Sequence, residues 1–586
     1  MILRNGDSHT NGNGHRIIMV MLLCLFGLYL SVPAHAQKGR KAKDEKVYLD
    51  HADELRYDQF LKPGVQIVKG HVRFRYQDTR LSCDSAYYNQ DQNTFQAFGH
   101  VHMQKSGNIT LVCDRASYDS SSELFQARQH VVLTQPGRSL HCDSLDYNSG
   151  TEYANFFGDK GGRLTAGKTT VTSLSGEYYI DRHEANFYEN VVMKSPKYTI
   201  NTEHLNYNTE TEQAHVIGPS VIKGNKGEVV HTEDGYYYSK TDRMELNGRS
   251  TITSKERDVE GDNLKYNNTT GESEGHGQVK IVDKVNNRVV TGDHLFYNEK
   301  KRVGRGTGNV VYTDYKNKNA LLADSVNYTD SSAIAFGHAL VKEFSRKDTL
   351  YMHADTLRMK AFHLETDSVY REVYCYPHVR AYRKDIQAVC NLLVFNSKDS
   401  CMTMRQNPVV WSDNRQLMGD SIKAFMNDST VREMHVLGNA FSAEQVRDKE
   451  HFNQISSKEM HAYFEKGEMK YNEAVGNVLT IYFPEEEKDS SLIGLNYLET
   501  DTLRMFMAEK RKLDHIWTSK FTATLYPMTQ LPPGKEQLPQ FAWYEEIRPR
   551  SKDDLYRWVE VPARKDQKMF VAPPRQVLDM KNRRNR

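Results

Sequence analysis

Apolar side chains along this chain recur at every second position for a few residues, yield to a cluster of Asn, Asp, Ser, Thr or Gly, and then resume. In "GDHLFY" (292–297) Asp293, Leu295 and Tyr297 share one parity, and in "GQVKI" (277–281) Val279 and Ile281 do the same. Alternation of this kind is the period of a strand with one buried face. Between such runs lie "NQDQN", "DSSSE", "NTETE" and "NNTTGE", which supply turn chemistry. Helical periodicity takes over nowhere within an element, so the pattern predicts short strands joined by tight turns. Leu295, Tyr297, Val279 and Ile281 are the inward residues of their strands.

The strands themselves repeat. Small–Asp–x–aliphatic–x–Tyr occurs as "CDSAYY" (83–88), "CDRASY" (113–118), "CDSLDY" (142–147), "GDNLKY" (261–266), "GDHLFY" (292–297) and "ADSVNY" (323–328). Weaker copies bring the total to about fourteen repeats of roughly 30 residues. Between copies a turn residue precedes a short valine-rich strand, as in "GHVRF", "GHVHM", "QHVVL", "ENVVM", "GNVVY" and "NPVVW". Stacked strands of this length make an all-β body, an elongated repetitive β-jelly roll or β-solenoid, with unpaired edges at its ends. The acid that opens each copy is expected at a corner, accepting backbone N–H groups there. A calcium ladder along these acids is the competing reading, and one carboxylate per repeat falls well short of a calcium shell.

Composition narrows the function. The 586 residues carry 78 basic and 76 acidic side chains, a net charge of +2, which argues against nucleic acid as partner. Arg4 and Arg16 precede the apolar run "IIMVMLLCLFGLYL" (17–30), and Ala34 and Ala36 form a small-residue cleavage site. Residues 1–36 therefore read as a signal peptide, with a retained anchor as the alternative, and 37–47 as a linker. The repeat domain spans 48–485. Residues 486–586, with three of the four tryptophans and "YPMTQLPPGKEQLPQFAWYEEIRPR" (526–550), read as a C-terminal cap or docking tail, partly flexible. Cys83, Cys113 and Cys142 share one repeat position, either bridged in pairs in an exported protein or buried as small apolar residues. No C-x-x-C, H-E-x-x-H, G-x-S-x-G or P-loop pattern occurs. Neither a metal, a cofactor nor an enzymatic activity is expected.

The cadence aD-x-aliphatic-x-Y followed by G-n-V-x-aliphatic resembles the LptA/OstA family of lipopolysaccharide-transport proteins, in particular the OstA-like proteins of Bacteroidota-type bacteria. The resemblance implies a periplasmic β-jelly roll, peripheral to the outer membrane at most. Its apolar interior would shield the acyl chains of lipid A on a bridge between the two membranes. It also implies inner- and outer-membrane partners that pair through the same roll edges, and end-to-end self-association. Val72, Phe74, Val101, Met103, Val131, Leu133, Val191, Met193, Val279, Ile281, Val310 and Tyr312 are the candidate groove residues, with Val409 and Trp411 in the corresponding place further on. A closed solenoid core would use the same residues, so a scaffold or surface repeat protein stays open. A solenoid glycan-active enzyme would need a non-repetitive acidic cluster.

Overall fold

The computed structural model describes residues 46–57, 60, 64–366, 368–427, 430–465, 467–486, 491–508 and 513–561. The predicted signal peptide, most of the linker and the chain from 562 onward lie outside the described residues. Within them the fold is all-β and antiparallel, the repetitive β-jelly roll that the alternation predicts, with short 3-10 turns at Met528–Gln530 and Asp553–Tyr556. The chain forms two compact units, one up to Phe125 and one from Gln126.

A typical strand is eleven or twelve residues long and bends in the middle, so that its two halves belong to two facing walls. The bend answers why an Asp recurs. Asp84, Asp293 and Asp324 sit at corners, and each carboxylate receives a side chain from a two-residue bulge in the next strand. His100 Nδ1 donates to Asp84 Oδ2 at 2.8 Å, Asn309 Nδ2 to Asp293 at 3.0 Å, and His338 Nδ1 to Asp324 at 2.8 Å. Both bulge residues are left-handed, as at Gly308 (φ 73°) and Asn309 (φ 49°). A Cβ on Gly308 would stand 2.3 Å from Asp293 Oδ2, so the acid and the glycine require each other. The corner placement is as predicted, but these partners are side chains of the next strand. Asp293 is exposed although it shares parity with Leu295 and Tyr297, because the strand bends at that point.

In the first unit the walls close on aromatic residues. Phe74 stacks on Phe95 (4.8 Å, 5°), Tyr88, Phe95 and Tyr118 form one cross-strand row, and the Tyr88 hydroxyl donates to Val47 O at 2.6 Å. In the second unit the rows alternate large with small residues. Leu264, Gly275, Leu295, Gly306 and Val326 are successive cross-strand neighbours on one wall, with Tyr266, Ser273, Tyr297, Gly304 and Tyr328 beside them. Gly304 leaves the space into which the Tyr328 ring leans, since a Cβ there would lie 2.1 Å from that ring.

Strand pairing does not stop at 485. Gly494–Met507, Leu513–Thr518 and Phe521–Pro527 continue the same antiparallel ladder. The segment that follows, 528–561, is a strap. Leu538, Ile547 and Val561 pack on Trp411, Met418, Phe441, Ile481 and Leu495, making a second apolar core on the outer face of one wall. Buried glutamines hold the strap at intervals. Gln454 Nε2 donates to Glu536 O (2.8 Å) and Gln416 Nε2 to Ala542 O (2.7 Å), while Arg548 Nε donates to Gln387 Oε1 (2.8 Å). The docked segment is thus the tryptophan- and proline-bearing part of the predicted tail.

Candidate functional site: a half-open apolar cleft

The facing walls of the second unit are not equally closed along the chain. Early on, the inward row Leu140, Leu164, Val171, Met193, Ile200, Ile222 and Val230 is buried, as are the opposing tyrosines Tyr147, Tyr178, Tyr207 and Tyr237. From Ile252 onward the same row is only half-buried. Ile252, Val259, Ile281, Val290, Tyr312, Leu321, Val341 and Met352 are consecutive cross-strand neighbours, and every one is partly exposed. On the opposite wall Tyr266 and Tyr297 are half-buried and Tyr328 is exposed.

The change has a local cause in side-chain volume. Where earlier return strands carry Ala185 and Phe187, or Met244 and Leu246, later ones carry Ser273 and Gly275, then Gly304 and Gly306. Removing that bulk leaves apolar side chains in place with less between them, giving a cleft. Beyond it the wall becomes rich in methionine. Met359, Val373, Phe395, Met402, Ala424 and Met434 form the row that continues Tyr328 through Ala333, and Met352, Met402 and Met434 lie against the core as partly buried residues. Unbranched thioethers adapt to irregular apolar guests.

The polar tip of Tyr312 is satisfied at the cleft edge. Its hydroxyl donates to Asp314 Oδ2 at 3.3 Å, and Arg288 Nε donates to the same oxygen at 3.0 Å. Burial pushes the Asp314 carboxyl up, but hydrogen bonds from Asn317 and Arg288 outweigh it and hold the group below the usual carboxylate range. The cleft therefore has apolar walls, with the Tyr312 hydroxyl paired at the rim. It holds no cluster suited to acid–base or nucleophilic chemistry among the described residues.

One group of metal-ligand type lies on the outer face: Glu274, His276 and His294. Both imidazoles donate from Nε2 toward Glu274 Oε1, at 3.2 and 2.9 Å. Their rings stack face to face at 4.1 Å and 4°, so their in-plane lone pairs run parallel and do not converge on one ion. The arrangement is a hydrogen-bonded surface triad.

The N-terminal part of the chain, residues 44–203, matches the family model described as "OstA-like protein". Residues 44–203 are OstA-like. Among solved structures the chain is similar to LptH of Pseudomonas aeruginosa, described as "the LptA homologous periplasmic component of the conserved lipopolysaccharide transport device". That similarity is 14% identity over 20% of this chain and 82% of the other, with a TM-score of 0.17. No curated protein matches the chain.

Within the OstA-like region Val72, Phe74, Val101, Met103, Val131, Leu133, Val191 and Met193 are all buried, at 0–2% exposure. There the interior is filled by the protein's own aromatic side chains. Val279 and Val310, beyond the region, are buried at the base of the cleft, and Ile281 and Tyr312 line it. Val409 and Trp411 face the other way. The bulge falls at Gln406 and Asn407, one residue earlier than alignment on the valines implies, so Val410 points into the cleft and Trp411 lies under the strap. Sequence reasoning passed over Val259, Val290, Leu321 and the glycines opposite them. The legible signal was Gly at inward positions where other repeats carry Ala or Phe: Gly275, Gly304 and Gly306.

Among the described residues the six cysteines, Cys83, Cys113, Cys142, Cys375, Cys390 and Cys401, are buried and form no disulfide. They act as small apolar residues, the second of the two readings their spacing allowed.

Proposed function

We propose that this protein is a periplasmic lipopolysaccharide carrier that shields lipid A acyl chains in the cleft running from Ile252 toward the methionine-rich wall. The observation that carries the reading is the unbroken row of half-exposed apolar residues, in register across successive strands. A soluble protein normally buries such a row or breaks it with polar residues. Each acyl methylene that enters it gains about 0.8 kcal/mol, so a few chains would supply ample driving force without chemistry. The match of residues 44–203 to an OstA-like family supports the transport role. The filled interior between Leu140 and Tyr237 favours a scaffold role for that stretch, with lipid held further on.

The free edges suit strand pairing with partners of the same architecture, in the inner or outer membrane or in a second copy. Tyr48–His51 and Glu54–Tyr57 lie at the start of the first unit's ladder, with Leu55 and Tyr57 exposed. The last hairpin of the second unit exposes Leu513, Ile516, Trp517, Phe521 and Leu525. The test of lipid binding is displacement of a fluorescent acyl probe from the purified mature chain by lipopolysaccharide. Wild type should bind, and Val290→Asp, which places a charge at a half-exposed cleft position, should bind at least tenfold more weakly. A wild-type protein that takes up neither probe nor lipopolysaccharide would refute the proposal.

A further inference from the structure

Where the strap meets the strand Val379–Arg383, on the outer face and away from the cleft, the structure has a cavity of about 420 Å³. Arg380, Arg548, Arg550 and Arg557 line it, against two acids, Glu546 and Asp554. We propose that this cavity binds a phosphoryl group carried on a body of about sugar size.

Three observations converge. Arg380 is the most unusual residue there, a guanidinium only 2% exposed. Nη1 donates to Ile547 O at 3.0 Å and Nη2 to Asp554 Oδ2 at 3.1 Å, but the buried Nε–H has no acceptor among the described residues. A buried donor without an acceptor is rare in folded proteins and marks the place of a missing group. Next, Arg550 and Arg557 are exposed and have no ion-pair partner among the described residues, whereas Arg548 is already tied to Gln387, to the Asp413 carbonyl and, at 3.6 Å, to Glu545. Four guanidiniums against three carboxylates, counting the Glu545 paired with Arg548, leave a surplus of one positive charge in the recess, matched by a phosphoryl monoanion. Burial, reinforced by the Arg557 charge, lowers the pKa of Arg380 even with Asp554 alongside, so an anion here would relieve a real electrostatic cost. Finally, the volume decides the size. A bare phosphate fills little of a space that would take on the order of a dozen waters at ~30 Å³ each, so the phosphoryl group comes attached to something.

A soluble sugar phosphate and a phosphorylated lipid headgroup offer the same chemistry, and the test separates them. The mature full-length chain is titrated calorimetrically with glucose 1-phosphate and with inorganic phosphate. In parallel it is floated with phosphatidylcholine vesicles with and without phosphatidic acid. The expected result is binding of glucose 1-phosphate more tightly than inorganic phosphate, or binding only to the phosphatidic acid vesicles, which would assign the lipid source. In either case Arg550→Gln with Arg557→Gln, both exposed and outside the strap's anchors, should weaken binding about tenfold per lost guanidinium contact. The thermal midpoint of that variant reports whether the fold is intact, and Arg380→Met is a second variant at the buried position. Absence of binding to all of these probes, or binding that the Arg550→Gln, Arg557→Gln variant leaves unchanged, overturns the proposal.

Discussion

Gln416 offers a stringent test of how the strap is held. Its side chain is fully buried and serves both sides of the junction. Oε1 accepts Trp411 Nε1–H at 2.9 Å and the Tyr544 backbone N–H at 2.8 Å, while Nε2 donates to Ala542 O at 2.7 Å. Gln416→Leu keeps the volume and removes all three partners at once. Two buried donors and one buried acceptor would then be unsatisfied, at about 1–3 kcal/mol each, for a total of roughly 3–9 kcal/mol. The apolar anchors Leu538, Ile547 and Leu555 still hold the ends, so the strap should open locally while the sheet stays folded. Amide hydrogen exchange reads this directly. A local loss of about 3 kcal/mol corresponds to exchange on the order of a hundredfold faster through 536–548. Exchange there within about threefold of wild type, in a folded protein, would refute the ledger of bonds.

Further consequences can be measured on the same material. Gly308→Ala should destabilise its corner by about 2–3 kcal/mol, combining the left-handed backbone and the lost Asn309–Asp293 bond. In an Asp293→Ala background the cost should shrink to the backbone part, and a double-mutant cycle in urea that shows no coupling would contradict the Asp–Gly pairing. His353 lies beneath the Tyr556 ring at 4.7 Å, and burial lowers its pKa despite its bond to Ala339 O and the nearby Asp355; His338 and His378 add to the lowering. The unfolded state therefore takes up the proton first. Stability at this end of the strap is full above the ordinary histidine range and declines as pH falls through about 6.5 toward the folded value, so protection in 553–558, taken relative to the intrinsic exchange rate at each pH, should fall in acid and lose that dependence in His353→Gln. Burial pushes the thiols of Cys83, Cys142 and Cys375 up to about 12, so they should resist iodoacetamide at about pH 8 until denaturant is added. Labelling in the native state would show the interior to be open there.

Much of the fold was legible because β-structure writes its period into the sequence. The parity of Leu295 and Tyr297, the glycine-bearing turns and the recurring Asp all carried through to strands, walls and corners. The partner of the Asp did not, because Asp293 and Asn309 are brought together by register, which no local window contains. The reversal at Val409 and Trp411 has the same origin, a bulge displaced by one residue. The cleft was half legible. Valines mark inward positions whether the interior is filled or open, and the difference lies in what stands opposite, such as Phe187 in one place and Gly306 in another. The strap was seen as an odd composition only, since its anchors Gln387, Gln416 and Gln454 look like ordinary polar strand residues until the chain returns over them.

The central claim is that the cleft holds acyl chains. Its most direct test is photo-crosslinking in living cells, with probes at Ile281, Val290 and Tyr312, at Trp411 beneath the strap, and at the exposed Lys280. The account predicts lipopolysaccharide adducts at the three cleft positions and none at Trp411 or Lys280. Adducts absent from the cleft in an exported, folded protein, or equally frequent at Lys280, would contradict it.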